Sequence, residues 1–160
     1  MTNRITNSSL VALALMALAG TAGAQSQTIT FSVGAINQVA VTGAPVLNIS
    51  TATAGNNPTQ ASDAASTWAV TTNQSGAKIS ASLDADMPAG LTLKVSLAAP
   101  AGATTAGAKT LAFASVDLVT GVSQVAAGSL GMTYTLDALP TAGVVASSTR
   151  TVTYTITGGT

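Results

Sequence analysis

Near the C-terminal end, Thr149–Thr157 places Thr at every odd position and Val152, Tyr154 and Ile156 at even ones. Side chains branched at Cβ are stiff at χ1 and crowd a helix, but they pack well on a pleated surface. A period of two then sends Val152, Tyr154 and Ile156 to one face and the Thr residues to the other. Such a run is predicted to be a strand with one apolar face, and most of the chain repeats it.

Leu91–Leu97 carries Leu91, Leu93, Val95 and Leu97 on one parity. Ile79, Ala81 and Leu83 alternate with Lys78, Ser80 and Ser82. Leu130, Met132, Tyr134 and Leu136 alternate with Gly131, Thr133 and Thr135. Toward the N-terminus, Ile29, Phe31 and Val33 alternate with Thr28, Thr30 and Ser32. Shorter candidates are Val39–Thr42, Val46–Ser50, Trp68–Thr72, Thr110–Phe113, Val116–Val119 and Val122–Ala126. Asn73-Gln74-Ser75-Gly76 reads as a turn, and Asp84–Gly90 as a longer hairpin loop, with Gly121 and Gly128 punctuating two further runs. Ala and Thr together make roughly a third of the residues, far above ordinary usage. Ala favours helix, yet Gly, Thr and Ser interrupt every Ala-rich stretch and no period of 3.6 is sustained. Many short strands with one apolar face predict an all-β fold, an antiparallel two-sheet sandwich of Ig-like or jelly-roll-like kind.

The first two dozen residues follow a different logic. Arg4 supplies a positive start, Leu10–Ala19 is an unbroken apolar run, and Ala22-Gly23-Ala24 is a small-x-small site. That is the pattern of a signal peptide over 1–24, cut before Gln25. The run is too short to span a bilayer as a mature helix, and no second long one follows. The expected product is one domain over 25–160, exported to the periplasm, cell surface or extracellular space, with no integral membrane segment. It has no Cys, so its core must hold without disulfides. Without Arg4 it carries four positive and five negative groups. That balance offers no footprint for nucleic acid, and its weak self-repulsion favours association.

Chemistry-bearing residues are scarce. The chain has no His, Cys or Glu, and only five Asp, three Lys and two Arg. A serine nucleophile would lack a His base, and neither a nucleophile elbow nor a phosphate loop is present. Transition-metal sites lack their usual ligands. The reading is therefore a non-enzyme without a cofactor. Asp84 and Asp86 form the one paired-carboxylate motif. They are a weak calcium candidate, because a hard cation needs several more oxygens than these two supply. As turn residues they would accept backbone N–H bonds instead. Phe31, Trp68, Phe113, Tyr134 and Tyr154 each share a parity with apolar neighbours, which predicts core packing. Trp68 borders the long loop 51–66 and is the one aromatic weighed as a ligand contact.

The alternating run Thr28-Ile29-Thr30-Phe31-Ser32-Val33 at one end, and Ala142-Gly143 followed by Thr151–Thr157 at the other, resemble bacterial surface-fibre subunits. The comparison is with the spore-coat-U-like group of archaic chaperone–usher pilins. Members of that group usually carry cysteines, which this chain lacks. The resemblance implies assembly by strand donation. Edge pairing allows Thr28–Val33 two uses: donation to a neighbouring subunit, with Gly34 as a hinge, or folding back as a first strand. The function expected is a fibre-like, matrix or cell-surface structural subunit that meets itself or other surface proteins through strand edges. The alternative is a small secreted binding module for glycan or protein, using loops 51–66 and 98–109.

Overall fold

In the computed structural model, which describes residues 23–160, the alternating runs become strands of two antiparallel sheets. The strands are β1 (Asn37–Thr42), β2 (Ala61–Asp63), β3 (Thr67–Thr72), β4 (Ala77–Leu83), β5 (Leu91–Leu97), β6 (Thr104–Thr105), β7 (Lys109–Thr110), β8 (Val116–Val122), β9 (Val125–Ala138) and β10 (Val152–Thr157). The one helical element among the described residues is a 3-10 turn, Pro140–Ala142. The protein is a β-sandwich. Its compact unit spans Val33–Thr160, while Gly23–Ser32 belong to a separate unit and form no regular secondary structure. Residues 1–22, which hold most of the expected leader, lie outside the described residues.

One sheet has the order β1-β3-β9-β5-β7, the other β10-β4-β8-β6. The long β9 organises the first. Its early half pairs with β3, and its late half lies between β5 and the short β2. The chain kinks between β2 and β3, where Asp63 Oδ1 accepts the N–H of Ala65 in a side-chain turn. The period-two faces meet in one core. Trp68, Val70, Ile79, Val95, Leu97, Leu118, Val119, Val122 and Met132 are fully buried there. Those from β3, β4, β5 and β9 have the inward parities predicted for these runs; Leu118, Val119 and Val122 come from β8.

Four local expectations are corrected. Asp84–Gly90 does not close a hairpin: β4 and β5 lie in different sheets, so the segment crosses between layers. The β8–β9 connection also crosses. Its turn falls at Ser123-Gln124, with Gln124 at φ 43, while Gly121 and Gly128 sit inside strands. Val46–Ser50 is not a strand; Pro45 just ahead of it has no N–H to start a ladder. Phe113, expected in the core, is 68% exposed. The chain leaves the sheet after β7, and the Phe113 N–H is drawn to Asp86 Oδ1 at 2.7 Å.

Candidate functional site

Each sheet ends in a strand with one unpaired side, β1 in the first and β10 in the second. The two run past each other in opposite directions. The start of β1 meets the end of β10 where Asn37 Nδ2 donates to the Gly158 carbonyl at 3.4 Å. Val41 and Val152, near the opposite ends, line one cavity.

Register identifies which backbone groups are open. Asn73 N donates to Ile36 O, so Ile36 faces β3, and alternation turns Asn37, Val39 and Val41 away from it. Asp84 N donates to Thr151 O, so Thr151, Thr153 and Thr155 face β4, and the N–H and C=O groups of Val152, Tyr154 and Ile156 point to the open side. Two rows of unpaired groups thus face one seam; β1 and β10 already pack close along it, so an added strand that pairs with both must first part them.

Toward Val41 and Val152 the seam has a mainly apolar floor, with Ser148, Thr149 and Arg150 also on its wall. A cavity of about 340 Å³ opens between the sheets, lined among others by Val41, Leu47, Met87, Leu93, Leu136 and Val152. Tyr134 from β9 and Tyr154 from β10 close it below. Their hydroxyls lie 2.6 Å apart, and Tyr154 Oη is 3.7 Å from Met132 Sδ. Burial pushes the Tyr154 phenol far above its ordinary range, and its bond to Tyr134 adds to the shift. Burial also raises Tyr134, against the opposing effect of the bond to Tyr154, with a further rise from Asp63. Both therefore remain neutral hydrogen-bonding groups at physiological pH. Val152, Tyr154 and Ile156 are half-buried against the core rather than sealed inside it.

The segment Thr28–Val33 is not a strand of this fold. Ile29, Phe31 and Val33 are 74%, 88% and 79% exposed, which corrects the expectation that Phe31 is a core residue. An isolated alternating segment has no ladder to join, and a strand needs a partner edge to be stable.

The remaining candidates take structural places. Trp68 is 1% exposed, and its indole N–H donates to the Ala98 carbonyl at 3.1 Å, so it is packed in the core. Asp86 is a tie between connections: its carboxylate holds the Phe113 N–H and its carbonyl accepts from the Arg150 guanidinium. Asp84 shares that connection, its N–H bound to Thr151 O. Among the described residues, no three His, Cys, Asp or Glu side chains gather into a group that could hold a metal. Loop 51–66 supplies β2 to one sheet and loop 98–109 supplies β6 to the other. No helix among the described residues is long and apolar enough to cross a membrane.

The open seam was not visible in the sequence, because it depends on which strands end the sheets. Comparison with protein-family models, curated proteins and solved structures finds no match to this chain.

Proposed function

We propose that this protein is an exported, non-enzymatic structural subunit that assembles with copies of itself at a cell surface or in a fibre or matrix. Thr28–Val33 of one copy enters the seam between β1 and β10 of the next. One pairing carries the reading: the same chain holds an apolar seam between two unpaired strand edges and an unpaired, exposed, alternating segment of matching chemistry. The likeness of the two chain ends to surface-fibre subunits supports it.

Two favourable contributions drive such a step, and they must offset the association cost and the parting of β1 from β10. Burying Ile29, Phe31 and Val33 contributes roughly 1.5–3 kcal/mol each. The added strand also pairs backbone groups on both edges, at a net of about 0.5–1.5 kcal/mol per bond. Against this stands the ordering of about six residues, at roughly 1–2 kcal/mol each for the backbone. The balance becomes favourable only when both edges and the apolar floor are used together, so the seam selects an alternating segment over an arbitrary one.

The test uses residues 25–160 and a second form lacking 28–33. Light scattering and electron microscopy should show ordered oligomers of the first and monomers of the second. A synthetic peptide of residues 26–34 should bind the truncated form and raise its melting temperature. A full-length chain that stays monomeric at high concentration, or a truncated chain that assembles equally well, would sink the proposal.

A further inference from the structure

Thr28–Val33 has two competing uses, in its own seam or in a neighbour's, and the residues just after it bear on which it takes. The β1–β3 ladder runs one position past β1, to Ile36 opposite Asn73. There Asn73 uses both its backbone and its side chain. Its N–H donates to Ile36 O at 3.2 Å, its Oδ1 accepts the Ile36 N–H at 2.8 Å, and its Nδ2 donates to the Gly34 carbonyl at 2.7 Å. Gln74 Nε2 donates to the same Oδ1 at 2.8 Å and steadies the amide. Residues 34–36 are thereby tied to the turn between β3 and β4.

Folding back would need those same residues. Asn37 is the first residue of β1 whose backbone groups face the open edge. The shortest antiparallel hairpin on that edge that also turns Ile29, Phe31 and Val33 inward pairs Val33 with Asn37, Phe31 with Val39 and Ile29 with Val41, leaving residues 34–36 as a three-residue loop. The side-chain parity of that hairpin is correct, so self-insertion is a real competitor. Its loop, however, must turn the Gly34 carbonyl and the Ile36 N–H away from Asn73. A longer loop would spare the clamp but would spend Phe31 or Val33 as loop residues and remove them from the seam. Insertion into a neighbour requires neither change.

We infer that Asn73 is a positioning residue that disfavours self-insertion and reserves Thr28–Val33 for a second copy of this chain. The inference rests on the strand-exchange reading above. Its chemistry is that of a side-chain amide matching one backbone donor and one backbone acceptor, a pairing that Ala or Asp cannot reproduce.

The chain has no Cys, so introduced pairs report without background. Outward-facing Thr30 would lie beside Thr153 or Thr155 once the segment is inserted, in either direction. Thr30→Cys is combined with Thr153→Cys in one variant and with Thr155→Cys in another, covering neighbouring registers. After oxidation, a non-reducing gel separates chains bridged to one another from chains bridged internally. With Asn73 intact, the expected product is a ladder. With Asn73→Ala added, the ratio of internally bridged monomer to ladder should rise about tenfold, the factor that roughly one net hydrogen bond supplies. Asn73→Asp, which keeps the acceptor but loses the donor to Gly34, should move the ratio in the same direction and serves if Asn73→Ala folds poorly. Circular dichroism checks that each variant keeps its sheet content. An unchanged ratio in folded variants overturns the role of Asn73 while leaving strand exchange standing. Internal bridges with Asn73 intact also overturn it. Absence of any bridge with Asn73 intact overturns strand exchange itself, and this inference with it.

Discussion

Tyr134 and Tyr154 come from different sheets and touch hydroxyl to hydroxyl at 2.6 Å, so a polar contact ties the two layers at the mainly apolar floor of the seam. Each phenol is the other's partner. Removing one hydroxyl leaves the other in a poorly hydrated place, where an unmet hydrogen bond costs more than the net value of a made one. Tyr154→Phe should therefore destabilise by about 1–3 kcal/mol. Tyr154→Ala, which also removes the ring, should cost about 3–5 kcal/mol. Thr153→Ala, on the exposed parity of the same strand, should cost under about 1 kcal/mol. Urea unfolding of the three variants checks the order. A Tyr154→Phe variant as stable as the parent would show that the hydroxyl pair contributes nothing.

The same pair sets an alkaline limit. Both phenols are shifted upward in the fold, chiefly by burial, so the folded state holds its phenol protons where the unfolded chain releases them. A group with a raised folded value contributes stability that is complete below the unfolded value and lost as pH rises past it. The unfolded value is near 10. Stability should be flat from about pH 7 to 9 and decline above about pH 10, with a shallower decline in Tyr134→Phe/Tyr154→Phe. Equal slopes for the parent and the double variant would show that the tyrosine pair does not set the alkaline loss.

Trp68 is the only Trp in the chain, so its fluorescence reports one position. A ring 1% exposed beneath the β1-bearing sheet should emit blue-shifted from free tryptophan and resist quenching by iodide. Emission typical of a hydrated indole, with ready quenching, would return Trp68 to the surface and revive its role as a ligand contact.

Gly90 shows how the crossing connections are fixed. It sits at φ 82, and a Cβ there would lie 2.7 Å from the backbone N of Ala142. Its carbonyl also accepts the Leu139 N–H at 2.8 Å, pinning the 3-10 turn that leads toward β10. Gly90→Ala must strain the left-handed backbone and push that turn away at once, and should cost about 1–3 kcal/mol. A calorimetric scan showing an unchanged melting temperature would mean that the turn yields freely.

Much of this fold was legible because period-two patterns are local. Leu91–Leu97 was readable as a strand with the correct inward face, and it is β5 residue for residue. Pairing is not local, and there the reading failed. Asp84–Gly90 looks like any hairpin loop, yet it changes sheets, because only the assembled layers determine which edge β5 can join. Phe113 has the parity of Leu111, but parity lapses once the chain leaves β7 for the Asp86 carboxylate. The Asn73 clamp was visible only as a turn residue. Its contacts join positions 37 and 39 residues apart in the chain, and no spacing rule connects them. Thr28–Val33 was legible as a strand pattern, while its having no edge to pair with was not.

Phe31 separates the stability of one subunit from that of an assembly. At 88% exposure the ring adds little to the folded monomer, so Phe31→Ala should shift monomer stability by less than about 0.5 kcal/mol. In a neighbour's seam the same ring would be the largest apolar side chain buried, and its loss there should cost about 3–5 kcal/mol of association energy, a weakening of at least a hundredfold. Leu97→Ala is the converse control. Leu97 is fully buried in the subunit core, and its truncation should cost about 2–5 kcal/mol of monomer stability whatever the state of assembly. Dilution series by light scattering, run beside urea unfolding at concentrations where the parent is monomeric, measure the two quantities separately. If Phe31→Ala lowers monomer stability as much as Leu97→Ala does, the ring is already buried in its own subunit and the segment is not free for exchange. If it leaves both quantities unchanged, Phe31 has no part in the seam, and the occupant proposed here is the wrong one.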